Sequence, residues 1–346
     1  MKNLDKFLTL LGEEVDGLLL TSRYSRHYSA EFDIAKGVAI VTKAGCRYFT
    51  DSRYIESAEN GLKGFEVLEM NRENNYVKRL NDAIADFGVT KLGSEEPYIT
   101  FEEYTYFSTN LNAEMIPYSK KINGFRDVKE AWELDLMRKA QSITDKAFSE
   151  VLGRIKPGMS ELDLQAELIY CLYKNGGTGL AFSPIVVSGP NTSLPHGVAG
   201  DRVIREGDFV TMDFGAIYGG YCSDMTRTVA IGYATEEMEK VYNTVLQAQL
   251  AGIAASKAGV IGREVDNAAR KVIEDAGYGH SVGLEIHEKP NCGRYSEDIM
   301  VENCVASAEP GIYIPGKFGV RIEDCLIYKA DGTENITHSP KNLIII

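Results

Sequence analysis

The sequence predicts an α+β chain of two domains: a smaller α/β domain over residues 1–122 and a larger α+β domain of two similar halves over 123–346. Three observations carry this prediction. The chain has 346 residues, which exceeds the size at which one hydrophobic core usually stops growing. Its first third alternates short apolar runs with turns. The remainder twice repeats a pair of helical patterns followed by strands, the layering of an α+β domain.

In the first domain the strand-like runs are GLLLTS from Gly17, GVAIVT from Gly37 and RYFTDSRY from Arg47, followed by a polar helical segment over about 73–87. The pattern breaks at INGFRDVK, residues 122–129. Leu134, Met137, Ala140, Ile143, Ala147 and Val151 then recur at three- and four-residue steps, which predicts a long amphipathic helix. Ser160, with Asp163 three residues on, predicts the N-cap of a second helix, and Gly176 and Gly177 lie where it would stop. Strands and turns follow to about Gly232. Two further helices are expected over 235–257 and 262–276, the second with Val265, Ala268, Val272 and Ala276 on one face. The rest is again rich in strands. No residue-level internal repeat or low-complexity linker is found.

Composition narrows the function classes. Hydrophobic residues make up 44% and charged residues 25%, values ordinary for a globular chain. A formal charge of −13 with no basic run argues against nucleic acid and against acidic lipid surfaces. Near the N-terminus, Lys2, Asp5, Lys6, Glu13 and Glu14 leave too short an apolar stretch for a signal peptide or a membrane span, so a cytoplasmic location is expected. The six cysteines, Cys46, Cys171, Cys222, Cys292, Cys304 and Cys325, form no CxxC pair. They read as reduced, mostly packed thiols rather than a disulfide framework or a thiolate zinc site.

The chemistry sits in two acidic hairpins. The stretch 209–232, FVTMDFGAIYGGYCSDMTRTVAIG, holds two apolar-patterned strands around Tyr218-Gly219-Gly220. With Tyr218-Gly219 as the two-residue loop, Asp213 lies directly opposite Asp224, Cβ atoms roughly 5 Å apart. Like charges so placed are destabilising unless something positive sits between them. The bland alternative is an exposed pair on the solvent side of a hairpin. A second hairpin repeats the arrangement: in AEPGIYIPGKFGVRIEDCLIY the turn at Pro315-Gly316-Lys317 places Glu309 approximately across from Glu323. Four carboxylates then converge on one site. Hard oxygen ligands suit manganese, magnesium or calcium, and an added imidazole moves the preference toward manganese, cobalt, iron or zinc.

Five histidines supply the imidazole candidates. His280 and His287 lie in GHSVGLEIHEKP, shortly before the second hairpin, and His196 lies in the loop-like SLPHGV before the first. His27 and His338 have no such context and read as structural.

These strings resemble the pita-bread metallopeptidases, specifically the branch of Xaa-Pro aminopeptidases and Xaa-Pro dipeptidases (prolidases). The matching motifs are LPHG, MDFGAIYGGYCSDMTRT, GHSVGLEIHEKP, EPGIYIPGKFGVRIED and IKPGMSELDLQAEL, and RYFTDSRY looks like the family's creatinase-type N-terminal domain. The resemblance implies a C-terminal pita-bread (creatinase/aminopeptidase) fold and two divalent metal ions, manganese first, with cobalt, zinc or iron as alternatives. It implies Asp213, Asp224, His280, Glu309 and Glu323 as ligands, and His196 and His287 as substrate-facing histidines. The family carries a Gly- and His-rich run of the type GHGxGH before its ligand histidine; here Ala276-Gly277-Tyr278-Gly279 leads straight into His280.

A metal pair of this kind activates water for attack on a carbonyl carbon at neutral pH. A hydrogen bond from His196 or His287 suits the developing oxyanion, and Glu309 suits proton transfer to the leaving nitrogen. Arg321, two residues before Glu323 on the same strand face, either supports a ligand carboxylate or orients substrate. The ring-bearing strings AFSP at Ala181 and IYIP at Ile312 are candidates for a proline pocket. The expected substrate is a short proline-containing peptide cleaved at its N-terminal Xaa-Pro bond, with a strict Xaa-Pro dipeptidase as the alternative. A homodimer is the family expectation. Methionine aminopeptidases lack the preceding α/β domain, creatinase-like amidinohydrolases lack this metal set, and related binding modules of chromatin factors have lost the ligands.

Overall fold

The strand Gly17–Leu20 is buried along its whole length, and its two faces explain the unbroken apolar run GLLL. Leu18 and Leu20 belong to one apolar cluster and Leu19 to a second on the other face. The computed structural model that shows this describes residues 2–278 and 289–346. The chain divides into two units, Met1–Phe125 and Arg126–Ile346.

The first unit contains helices α1 (Lys2–Thr9), α2 (Arg23–Ala30), α3 (Ile55–Gly61), α4 (Tyr76–Phe87), α5 (Phe101–Asn110) and α6 (Ser119–Gly124). Its strands are β1 (Gly17–Leu20), β2 (Val38–Thr42), β3 (Cys46–Asp51), β4 (Glu66–Met70), β5 (Lys91–Ser94) and β6 (Glu114–Pro117). They form one mixed sheet in the order β4-β3-β2-β1-β5-β6, with β1 antiparallel to β2 and parallel to β5. The runs from Gly17, Gly37 and Arg47 are strands, and α4 occupies most of the polar segment expected over 73–87. Helices α2 and α5 carry no clear apolar stripe and are marked by their caps instead. Ser22 Oγ accepts from Ser25 N, and Thr100 forms a capping box with Glu103.

The second unit has two halves, each opening on a helix pair. In the first half α7 (Ala131–Leu152) and α8 (Glu161–Lys174) precede β7 (Gly179–Leu180), β8 (Ile185–Ser188), a 3-10 turn at Gly189–Ser193, β9 (Phe209–Phe214), β10 (Ala216–Tyr218), β11 (Tyr221–Cys222) and β12 (Met225–Ala230). In the second, α9 (Glu236–Ala255) and α10 (Gly262–Asp275) precede β13 (Val305–Ala308), β14 (Gly311–Ile314), β15 (Phe318–Arg321), β16 (Asp324–Lys329) and β17 (Gly332–Asn335). The caps follow the sequence: Ser160 and Asp163 make a capping box on α8, and Thr235 caps α9.

Strand β9 is the hinge of the packing. Val210, Met212 and Phe214 bury against Ile143, Ala147, Leu164 and Leu168 of α7 and α8. On the opposite face Phe209 packs with Val241 and Tyr242 of α9 and with Phe318 and Val320 of β15. Each such side chain, fully buried, contributes roughly 1.5–3 kcal/mol. Asp213 shares the Phe209 face, so it points between the two halves rather than into solvent. No helix among the described residues is long and apolar enough to cross a membrane. No disulfide joins the six cysteines, all of them among the described residues.

Candidate metal centre

The first hairpin differs from its expected register. Its two-residue loop is Gly219-Gly220, both at positive φ (57° and 85°), with Tyr218 paired to Tyr221. A turn with φ above zero at both central positions favours glycine at both, and Tyr218 is a poor occupant. The pairing therefore shifts, and Asp213 lies opposite Thr226, not Asp224. Asp224 is two residues before Thr226, on the same side of the chain, so it reaches Asp213 diagonally. Between them the chain bends at Gly215, where a Cβ would lie 1.9 Å from the Ser223 carbonyl oxygen. No side chain fits there.

The second hairpin keeps the expected register. Gly311 pairs with Arg321, and Ile322 N donates to Pro310 O at 3.4 Å. The next pair outward is Glu309 with Glu323.

Three of these carboxylates meet. Asp213, Asp224 and Glu323 each offer an oxygen, and the three atoms lie within 4.8 Å of one another. Asp224 is 8% exposed and Glu323 1%. One oxygen of each, Asp213 Oδ1, Asp224 Oδ1 and Glu323 Oε1, is buried without a hydrogen-bond partner. Orphaned buried oxygens are costly unless something satisfies them. A hard divalent cation is the group that such a donor set fits. Burial first, and then the charge of Glu323, pushes Asp213 up to about 7. The same two causes, in the same order, hold Asp224 and Glu309 well above the usual carboxylate range. A bound cation would offset the crowding of like charge that raises these groups.

The remaining oxygens are held by neighbours. Thr226 Oγ1 donates to Glu323 Oε2 at 2.7 Å and accepts from Arg321 Nε at 3.0 Å. Arg321, 4% exposed, also donates through Nη2 to Asp213 Oδ2 and through Nη1 to Tyr313 Oη (2.8 Å) and Pro195 O (3.0 Å). All three of its nitrogens are engaged within the site. Gln141 of α7 accepts from Asp224 N at 3.3 Å. Sequence reasoning missed Thr226 and Gln141 as parts of the site, and it reads Tyr313, the ring of IYIP, as a proline-pocket candidate without its bond to Arg321; the correct hairpin register would have pointed to Thr226.

His196 is exposed in the turn after the 3-10 segment, where Gly197 N donates to Leu194 O at 3.1 Å. Its preceding carbonyl, Pro195 O, shares the Arg321 guanidinium with Asp213, which brings the His196 turn beside the carboxylates. Glu309 stands next to the trio, with Ser307 Oγ donating to its Oε1 at 3.4 Å. Phe182 is half-buried, and Tyr313 is turned to Arg321. His280 and His287 lie outside the described residues.

The profile of metallopeptidase family M24 matches residues 135–330, and that of the creatinase/prolidase N-terminal domain matches 3–128. The Xaa-Pro dipeptidase of Pyrococcus horikoshii is 33% identical, with 95% of each chain covered. Among solved structures, an Xaa-Pro dipeptidase from Bacillus anthracis superposes with a TM-score of 0.93 at 40% identity, covering 100% of this chain and 99% of the other. The X-Pro aminopeptidase of Thermotoga maritima gives 0.92 at 33% identity, with 99% of both chains covered. With its buried carboxylate trio set between two helix-and-sheet halves, and with a creatinase/prolidase N-terminal domain earlier in the sequence, this chain belongs to metallopeptidase family M24.

Proposed function

We propose that the chain is a metal-dependent exopeptidase that releases the N-terminal residue from peptides with proline in second position, an Xaa-Pro aminopeptidase. The observation that carries this reading is the meeting of Asp213, Asp224 and Glu323 at one buried spot, each with an unpartnered oxygen. With Glu309 and His280 they would hold two divalent ions, manganese first, with cobalt, zinc or iron as alternatives. Bound there, the ions supply Lewis-acid polarisation of the scissile carbonyl and an activated water at neutral pH.

The chain's own residues do the rest. Arg321 and Thr226 hold Asp213 and Glu323 in fixed rotamers, so ligand geometry is set before any ion or peptide arrives. Arg321 acts here as a positioning residue, its donors turned to the protein rather than to substrate. His196, on its exposed turn, and His287 donate hydrogen bonds to the substrate carbonyl as its oxygen gains charge. Glu309 takes the water's proton on its carboxylate and passes it to the leaving nitrogen. That nitrogen belongs to a ring and carries no hydrogen in the peptide, so its protonation is required for it to leave as a secondary amine. The protein acts as a homodimer in the cytoplasm.

The 40% identity to an Xaa-Pro dipeptidase favours prolidase activity as the second reading. Steady-state hydrolysis of Ala-Pro-Ala and Ala-Pro by the manganese-loaded protein separates the two. Faster cleavage of the tripeptide is expected. Cleavage of Ala-Pro alone would replace the proposal with a dipeptidase, and cleavage of neither would remove both.

A further inference from the structure

We propose that Glu161, the first residue of α8, is a positioning residue that sets the stance of the His196 loop. Its carboxylate is 0% exposed and has no metal-site role. Oε1 accepts from Ser188 N (2.7 Å), Ser188 Oγ (2.8 Å) and Asn191 Nδ2 (3.1 Å). Oε2 accepts from Gly200 N at 3.1 Å. One side chain thus holds both the entrance and the exit of the segment 188–200, in which His196 lies.

The helix end makes this possible. The first backbone N–H groups of α8 have no partner within the helix, and here they reach the exit of that segment and the residues just beyond it. Glu161 N donates to Arg202 O at 3.0 Å and Leu162 N to Gly200 O at 3.2 Å. A carboxylate in the first helical turn is also favoured by the helix dipole. Between its two ends the loop touches the second half of the domain twice. Gly319 N donates to Thr192 Oγ1 at 2.8 Å, and Arg321 Nη1 to Pro195 O at 3.0 Å. Gly319 allows this approach because a Cβ there would lie 2.2 Å from Thr192 O.

The loop is therefore clamped at its ends by Glu161 and tied in its middle to the strand that leads into Glu323. A histidine carried on such a loop meets substrate without first losing backbone freedom, and small misplacements of a reacting group are costly in rate. Glu161→Gln keeps the shape but turns one acceptor into a donor, so either the Ser188–Asn191 side or the Gly200 side loses its partner.

This inference rests on the role given to His196 above, and a double-mutant cycle tests the two separately. Manganese binding by calorimetry, and kcat and KM for Ala-Pro-Ala, are measured for the wild type, E161Q, H196A and the double variant. H196A is expected to lower kcat about 100-fold, as loss of a positioned hydrogen-bonding group does. E161Q is expected to lower kcat about tenfold, with KM and manganese affinity within about twofold of the wild type. The double variant is expected to match H196A alone. Multiplied effects in the double variant, or a loss of manganese affinity in E161Q, would overturn the role of Glu161. An H196A protein with undiminished turnover would instead overturn the role of His196, and the inference with it. Should E161Q fail to fold, N191A removes one of the four hydrogen bonds. It should lower kcat about threefold only when His196 is present, and an equal loss in the H196A background counts against the proposal.

Discussion

Asp224→Asn is expected to lower kcat/KM on Ala-Pro-Ala by at least about 10³-fold, roughly 4 kcal/mol of barrier, while making the metal-stripped protein more stable than the metal-stripped wild type. The two effects have one cause. Asp224 is 8% exposed and shares a spot with Asp213 and Glu323. Burial and then the charges of Glu323, Asp213 and Glu309 all work against its ionised form. Asparagine keeps the shape, removes one of the crowded charges and brings an amide that can donate to an orphaned neighbouring oxygen, such as Glu323 Oε1. On the function proposed above, the same exchange removes a metal ligand, so affinity and turnover fall. Thermal melts in chelator, manganese titration and peptide hydrolysis on the same preparations check all three parts. A D224N protein that turned over normally, or that melted below the wild type in chelator, would contradict this account.

Asp324→Ala is expected to cost about 3–5 kcal/mol of folding stability, the range found when one partner of a buried ion pair is removed. Arg227 and Asp324 are 2.8 Å apart, and their side chains are 1% and 0% exposed. Asp324 also accepts from Gln249 Nε2 (3.0 Å), Asn335 Nδ2 (2.6 Å) and Lys341 Nζ (2.8 Å). Burial works against its charge, but Arg227 and Lys341 outweigh burial and hold it below the usual carboxylate range. Without it, a guanidinium and three further donors lose an acceptor in the interior. Arg227 is also bonded to Glu323 O (2.6 Å) and Thr226 O (2.9 Å), so the damage reaches the backbone of the metal centre. Urea unfolding of the metal-stripped proteins isolates the fold term. By contrast Arg138–Glu334, at 35% and 38% exposure, is worth at most about 1 kcal/mol. A D324A loss as small as that would show that the buried pair is not what holds this region.

Much of the fold was legible in local pattern. Helices α7 and α10 follow apolar steps that lie within each helix, α8 follows its Ser160 cap, and the second hairpin's three-residue turn sets Glu309 across from Glu323. The first hairpin went wrong by one residue of loop. The sequence pattern puts Tyr218 in a turn whose positive φ values suit Gly219 and Gly220, and this moves Asp213 from Thr226 to Asp224. Both aspartates still stay on one face, because the error shifted their pairing by two residues, one full period of a strand. What local pattern could not show is contact made across the chain. Gln141 meets a residue 83 positions away, Arg321 joins Asp213 across 108, and Arg227 reaches Asp324 across 97. Glu161 carries no local signal, because its four donors come from a segment that begins 27 residues later.

On the function proposed above, two divalent ions bind at Asp213, Asp224, His280, Glu309 and Glu323 and serve peptide cleavage. Calorimetric titration of the chelator-treated protein with manganese, followed by assay of the same sample on Ala-Pro-Ala, tests it most directly. Two ions bound per chain and the appearance of free alanine are predicted; a protein that takes up no ion and cleaves no Xaa-Pro peptide would contradict the account.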